Sequence, residues 1–300
     1  MGPEAIIHFN SASLIVLNVI LALMMFGVSL TLRGEDFRRV VIRPVAPVAG
    51  LVAQFLLLPA ITCLVTWAFN VDPELALGMI LVAACPGGTF SNVMTWLGRG
   101  NVAVSVSMTA VSSLVATVLT PFNFAFYGWL NPHTRELVTH IALAPGNIML
   151  LAVLVLAIPL LLGMVVGQRF PGFAERAQKP MRLVTLMVLF SFVGIAFANN
   201  MEVFLANAHR ILALVVGQNA LALALGAVAG VLTGLSRADR RAVTLEVGIQ
   251  NSGLGLSILF TFFPQASGMI LIAALWGVWH LISGLTLALI WSRRTDEVRS

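Results

Sequence analysis

Charge is what this chain has least of. Only 10% of its 300 residues are Asp, Glu, Lys or Arg, against about 25% in a soluble domain, and the mean hydropathy is +0.98. That scarcity excludes a soluble enzyme with one large core. The net charge of +5 has to be read by position and is no nucleic-acid footprint. Cysteine is nearly absent as well. Cys63 and Cys85 stand singly in apolar stretches, which speaks against a disulfide framework and leaves no Cys-x-x-Cys metal spacing. Residues 1–13 hold no Lys or Arg and carry Glu4, so a cleavable signal peptide is not expected. No soluble domain, low-complexity tract or linker interrupts the chain. Ser–His, paired-Asp and His-Glu-x-x-His constellations are missing, which disfavours an intramembrane enzyme.

What is present is length of apolar sequence. About 20 such residues cross a hydrocarbon core of roughly 30 Å, and the pattern predicts nine spans, at 14–32, 45–68, 75–97, 102–126, 147–167, 183–201, 211–235, 242–262 and 268–291. The expectation is an all-α polytopic membrane protein, residues 1–300 forming one transmembrane unit in a cell (inner) membrane. With the N-terminus outside and the C-terminus cytoplasmic, the cytoplasmic segments collect Arg33, Arg38, Arg39, Arg43, Arg99, Arg169, Arg176, Lys179, Arg182, Arg237, Arg240, Arg241, Arg293, Arg294 and Arg299. Only Arg135 and Arg210 of the 17 basic residues stay outside, as the positive-inside rule requires. His8, His133, His140 and His209 fall on the outer side, where the connection between residues 127 and 146 is the longest.

Glu246 stands apart. It is the one acidic residue that cannot be placed in a loop or tail, and a carboxylate at membrane depth costs roughly 3 kcal/mol or more unless it meets a partner or a water-filled cavity. The residues after it, Val247-Gly248-Ile249-Gln250-Asn251-Ser252-Gly253, loosen the helix with glycines and place oxygen donors in a row. The third span carries a matching interruption, Cys85-Pro86-Gly87-Gly88-Thr89-Phe90-Ser91-Asn92, where Pro86 removes a backbone donor and unwinds the helix. A packing kink would explain either break alone. The two lie five spans apart and so run in opposite directions, which is the mark of inverted-topology repeats with a site where the broken helices meet. Freed helix N-termini favour an anion there, and freed carbonyls a cation.

Other polar residues are ambiguous by themselves. Ser105 and Thr109 share one face of the fourth span, but hydroxyls in membrane helices mostly bond their own backbone or join helices. Gln54 reads as an interhelical hydrogen bond and His280 as a packing residue. No Lys or Arg lies in any span at the depth of Glu246, so a proton or a mobile cation must balance it. The surrounding donors are neutral oxygens without thiolate or imidazole, which suits a hard cation, sodium in this setting.

Residues 85–95 and 246–253 resemble the two core motifs of the bile acid:sodium symporter family, Cys-Pro-Gly-Gly-Thr-x-Ser-Asn-Val-Met-Thr and Glu-Val-Gly-x-Gln-Asn-Ser-Gly. The similarity runs from about Met25 to Gly284. It implies a core domain (45–126 and 211–291) with two crossed, broken helices, and a panel domain (14–32 and 147–201), in the nine-helix arrangement of the animal carriers. It also implies two sodium ions as coupling ions and no other cofactor. One ion would sit among Ser91, Asn92, Ser105, Thr109 and Glu246, and the other among Gln54, Glu246, Gln250 and the carbonyls of Val247 and Ile249. Thr89, Asn251 and His280 would touch an organic anion such as a bile acid or small carboxylate. Phe90 stands where relatives have a small residue, and Leu281 where a polar Asn can follow the His. Both are expected to narrow the cavity, so bile acid specificity is not carried over. The implied activity is sodium-coupled symport by alternating access. The alternatives are a cation/proton antiporter of similar crossed-helix architecture, betrayed by proton release on sodium addition, and a sensor that binds without flux.

Overall fold

The computed structural model describes residues 11–30, 32–141 and 145–297. Glu4, His8 and Arg299 lie outside them. Every described element is helical apart from one isolated bridge. In chain order the helices are α1 (Ser11–Ser29), α2 (Gly34–Ile42), α3 (Val45–Val52), a π-helical turn (Ala53–Leu57), α4 (Leu58–Ala68), α5 (Pro73–Ala84), α6 (Phe90–Leu97), α7 (Val102–Leu130), α8 (Arg135–Ile141), α9 (Pro145–Arg169), α10 (Pro171–Asn199), α11 (Met201–Leu232), α12 (Arg237–Gly248), α13 (Ser252–Phe262) and α14 (Ser267–Glu297).

By length and composition alone, four stretches among the described residues can cross a membrane: Val45–Ala68, Val102–Leu130, Phe204–Leu232 and Ser267–Arg293. A fifth arises if α9 and the start of α10, bent by 117°, count as one span. The stretches at 75–97 and 242–262 fail that test because each is split, into α5 and α6 and into α12 and α13. Several helices reach further than their apolar pattern. The basic connection after α1 holds the short helix α2, started by Asp36 accepting from the Arg33 amide at 3.0 Å. Helix α10 begins at Pro171 and takes in residues expected in a connection, α11 begins at Met201, and α12 begins at Arg237. Polar helix ends carry no hydropathy signal; here only α12 of the three is capped by a side chain, Ser236 Oγ accepting from Asp239 N at 3.2 Å.

The broken spans occupy the centre. All of α5 from Leu75 to Ala84 is buried, as is α13 from Ser252 to Phe260. Helices α4, α7, α11 and α14 surround them, while α1 packs on α9, α10 and α13. Glycines set the closest approaches. A Cβ at Gly78 would stand 2.8 Å from the Met269 Cα of α14, and one at Gly226 would stand 2.8 Å from the Thr244 Cα of α12. Small residues are what let membrane helices pack backbone to backbone.

The basic segments meet at one end of the bundle. Arg39 Nη1 donates to Ala103 O at 3.4 Å, Arg241 Nη1 to Gly98 O at 2.8 Å, and the Asn101 amide to Ala238 O at 2.9 Å. Asp72, Glu74 and Arg210 share a cavity that also takes in Ser267 and Gly268, at the start of α14.

Gly226→Leu should cost about 1–3 kcal/mol through overpacking against α12, read as a lowered unfolding midpoint in detergent. Gly217→Leu on the same helix, where an added Cβ meets nothing within 4 Å, should leave the midpoint nearly unchanged.

Candidate functional site

Helix α5 stops because Cys85, ahead of Pro86, is extended (φ −71°, ψ 153°), the conformation a following proline imposes. Helix α12 stops at Gly248, and Ile249 is again extended (φ −115°, ψ 94°). The two interruptions then pair with each other. Gly88 N donates to Ile249 O at 2.7 Å and Asn251 N to Pro86 O at 2.8 Å, which makes Gly87 and Gln250 an antiparallel bridge. Other freed carbonyls find side chains. Ala84 O accepts from Thr120 Oγ1 at 2.8 Å, Cys85 O from Gln54 Nε2 at 3.4 Å, Gly248 O from Asn219 Nδ2 at 2.8 Å and Val247 O from Gln250 Nε2 at 3.0 Å. Asn251 Oδ1 caps α13 by accepting from Leu254 N at 3.0 Å. Unpaired backbone groups at this depth would each cost several kcal/mol, and this network removes that cost.

Glu246, fully buried, faces the crossing. Its Oε2 accepts from Ser91 Oγ at 2.5 Å and Ser105 Oγ at 3.0 Å, and its Oε1 from Thr109 Oγ1 at 2.7 Å. Thr109 Oγ1 also lies 3.3 Å from Asn92 Oδ1 and 3.1 Å from the Ser105 carbonyl. One hydroxyl hydrogen cannot serve three acceptors, so the cluster holds more oxygen lone pairs than protons. Ion pairs among the described residues are Arg33–Glu175 and Arg39–Asp36; none reaches Glu246. The structure therefore brings Ser91, Asn92, Ser105, Thr109 and Glu246 into one oxygen-lined cluster from α6, α7 and α12. It adds a residue not foreseen. Thr95 Oγ1, buried, lies 3.3 Å from Ser105 Oγ. Its position one turn after Ser91 on the same helix face was the available signal.

Gln54 lies in the π turn, where Asn123 Nδ2 holds the Phe55 carbonyl at 2.7 Å. Its Nε2 reaches Gln250 Oε1 at 3.2 Å, but its Oε1 is buried with no hydrogen-bond partner. A buried acceptor left bare is costly and marks where a cation fits. Gln54, Gln250 and the Val247 carbonyl are thus together; the Val247 and Ile249 carbonyls each accept one hydrogen bond, from Gln250 Nε2 and Gly88 N, and each keeps a second lone pair.

Thr89, Asn251 and His280 line one small cavity of about 20 Å³, closed on the other side by Met24, Met25 and Leu189 from α1 and α10. That is room for about one water. The starts of both α6 and α13 lie in its wall, so two positive helix ends point at it. His280 is buried, one turn after Trp276 on α14. Phe90 lines the cavity as expected, but Leu281 does not: it packs with Phe90 against Met94, Leu245 and Ile249, because on α14 it follows His280 and turns to another face.

The profile of the Sodium Bile acid symporter family matches residues 18–207. The chain is 31% identical, over 94% of its length and 84% of the other's, to an uncharacterized sodium-dependent transporter, YocS, of Bacillus subtilis (strain 168). It is 30% identical over 89% of its length to the probable sodium/metabolite cotransporter BASS1, chloroplastic, of Oryza sativa subsp. japonica, and spans 63% of that protein. It is 31% identical over 81% of its length to sodium/bile acid cotransporter 4 of Homo sapiens, and spans 55% of it.

A Cβ at Gly87 would collide with the Glu246 carboxylate. Gly87→Ala should therefore displace that group and abolish any stabilisation of the purified protein by sodium over choline, while Gly194→Ala, with open space at its Cβ, should retain it.

Proposed function

From the premise that the chain belongs to the sodium bile acid symporter family, a family of transporters and not of enzymes, we propose that it couples inward sodium movement to uptake of an organic anion by alternating access. The observation that carries this reading is a buried carboxylate met only by neutral oxygens where two broken helices cross.

One sodium takes Ser91, Asn92, Ser105, Thr109 and Glu246, with Thr95 bonded behind Ser105. It neutralises Glu246, and the hydroxyls now donating to that carboxylate rotate so that their lone pairs face the ion. The second takes the bare Oε1 of Gln54 with Gln250, Glu246 and the carbonyls of Val247 and Ile249, each through the lone pair that its hydrogen bond leaves. Both ions bridge α12 to other helices and so favour the crossed arrangement. The anion lies across the crossing from the cations, against the positive starts of α6 and α13, with Thr89, Asn251 Nδ2 and His280 as polar contacts. The cavity of about 20 Å³ admits no organic anion, so the wall from α1 and α10 has to withdraw from the crossing for binding and release. That division makes α3–α7 and α11–α14 the core and α1, α9 and α10 the panel, with nine spans once each broken pair counts as one. The arginine-rich end then faces the cytoplasm of a cell (inner) membrane.

Coupling requires that sodium and anion favour the same conformation. Two sodium ions with a monoanion carry one net positive charge inward, so a potential of 100 mV contributes roughly 2.3 kcal/mol per cycle. Phe90 in the cavity wall favours a slim anion over a bulky one.

Glu246→Gln should remove sodium-driven uptake in proteoliposomes and the sodium-dependent rise in melting temperature that a bound ion gives by mass action. Gln54→Leu should leave binding of one ion and flatten the sodium dependence of uptake. The anion comes from a melting screen of organic acids with sodium and with choline; sodium-driven uptake of that acid by Glu246→Gln would sink the assignment.

A further inference from the structure

A second cavity lies away from the crossing, at the arginine-rich end. It measures about 480 Å³ and is bounded by Arg38, Arg39 and Arg43 of the α2 region and by Asn101, Ala103 and Ser107 at the start of α7. Arg39 is tied down: it sits 3.8 Å from Asp36 and donates to Ala103 O and Ser107 Oγ. Arg38 and Arg43 make no ion pair or hydrogen bond among the described residues, through their side chains. Glu35 is the one carboxylate in the wall, so the lining keeps an excess of positive charge. Asn101 has no polar atom to spare, because its Oδ1 caps α7 and its Nδ2 donates to Asp239 Oδ1 at 2.7 Å.

Basic residues near a membrane surface are ordinary. This group differs in what adjoins it. Ile42 lines the cavity and is itself 61% exposed. Past the break at Arg43-Pro44, exposed Val45, Val48 and Val52 of α3 continue the apolar surface, at the three- and four-residue spacing that keeps one helix face turned to lipid. A cavity holding two uncommitted guanidiniums therefore opens onto a face suited to an acyl chain. Arginine's planar fork matches phosphate oxygens in pairs. The comparable cavity that contains Asp72, Glu74 and Arg210, about 440 Å³, has two carboxylates against one guanidinium and suits no anion.

We propose that this cavity binds the phosphate headgroup of an anionic phospholipid through Arg38 and Arg43, with Arg39 as a fixed third charge and the lipid's chains over Ile42 and the Val45–Val52 face of α3. The occupant sits against the first turn of α7, where the two residues that Arg39 grips, Ala103 and Ser107, flank Ser105.

The test uses the full chain in a neutral detergent, with phosphatidylglycerol and phosphatidylcholine as probes and bound lipid read by native mass spectrometry. Wild type should retain phosphatidylglycerol preferentially. The Arg38→Gln, Arg43→Gln double variant should lose about 30-fold of that preference, the contribution of two arginines near anionic lipid. The Arg135→Gln, Arg210→Gln double variant removes the same charge elsewhere and should keep it. Equal losses in the two variants would overturn the site in favour of general attraction. A wild-type protein from which glycerol phosphate displaces the lipid at equal concentration would overturn the lipid in favour of a soluble phosphate; this arm needs no variant to fold.

Discussion

Two stretches of chain without helical hydrogen bonds lie at the centre of a bundle that offers them no bulk water. Their solution is to serve each other: Gly88 and Asn251 donate across to Ile249 and Pro86. Everything else at the centre depends on that exchange. It fixes Gly87 against Gln250, and with it the distance between the helix carrying Ser91 and Asn92 and the helix carrying Glu246. Thr120, Asn219 and Gln54 from α7, α11 and the π turn then close off the neighbouring carbonyls, so these three elements are bonded to the crossing and not merely packed on it.

The crossing separates charge. Helices α5 and α12 arrive at it with their carbonyl ends, and α6 and α13 leave it with their amide ends. The carbonyl ends suit a cation and the amide ends an anion, on different sides of the same pair of breaks, with no Lys or Arg among the described residues paired to Glu246. A lysine or arginine beside Glu246 would form a permanent pair, and removing an ion from it would mean breaking that pair. Neutral oxygens at 2.5–3.0 Å leave the carboxylate dependent on something that can come and go.

Much of this could be read from residues. Proline and glycine mark backbone breaks wherever they stand, so the two interruptions were legible, and a lone carboxylate in apolar sequence announces its own cost. The i, i+4 relation of Ser105 and Thr109 put both on the face that meets Glu246. The π turn was legible only in part: Pro59 has no N–H for the Phe55 carbonyl four residues before it, which frees that carbonyl, but the neighbour that takes it up, Asn123, carries no mark in the sequence. Thr95 carries little signal of its own, because hydroxyls in membrane helices usually bond their own backbone. Helix α2 and the polar starts of α10 and α11 were hidden because hydropathy reports where lipid is, not where a helix is.

The five-residue turn at Ala53–Leu57 has a geometric consequence for the helix it interrupts. Each residue of an ordinary helix advances the side-chain direction by about 100°, so one extra residue in a wide turn resets the phase between the halves. Ala46, Pro47 and Gly50 are buried before it, and Thr62, Cys63 and Thr66 after it. Neither half has to compromise its own contacts for the other. Straightening the turn would rotate one set of these residues out of place, which ties the aim of Gln54 to the seating of a whole helix.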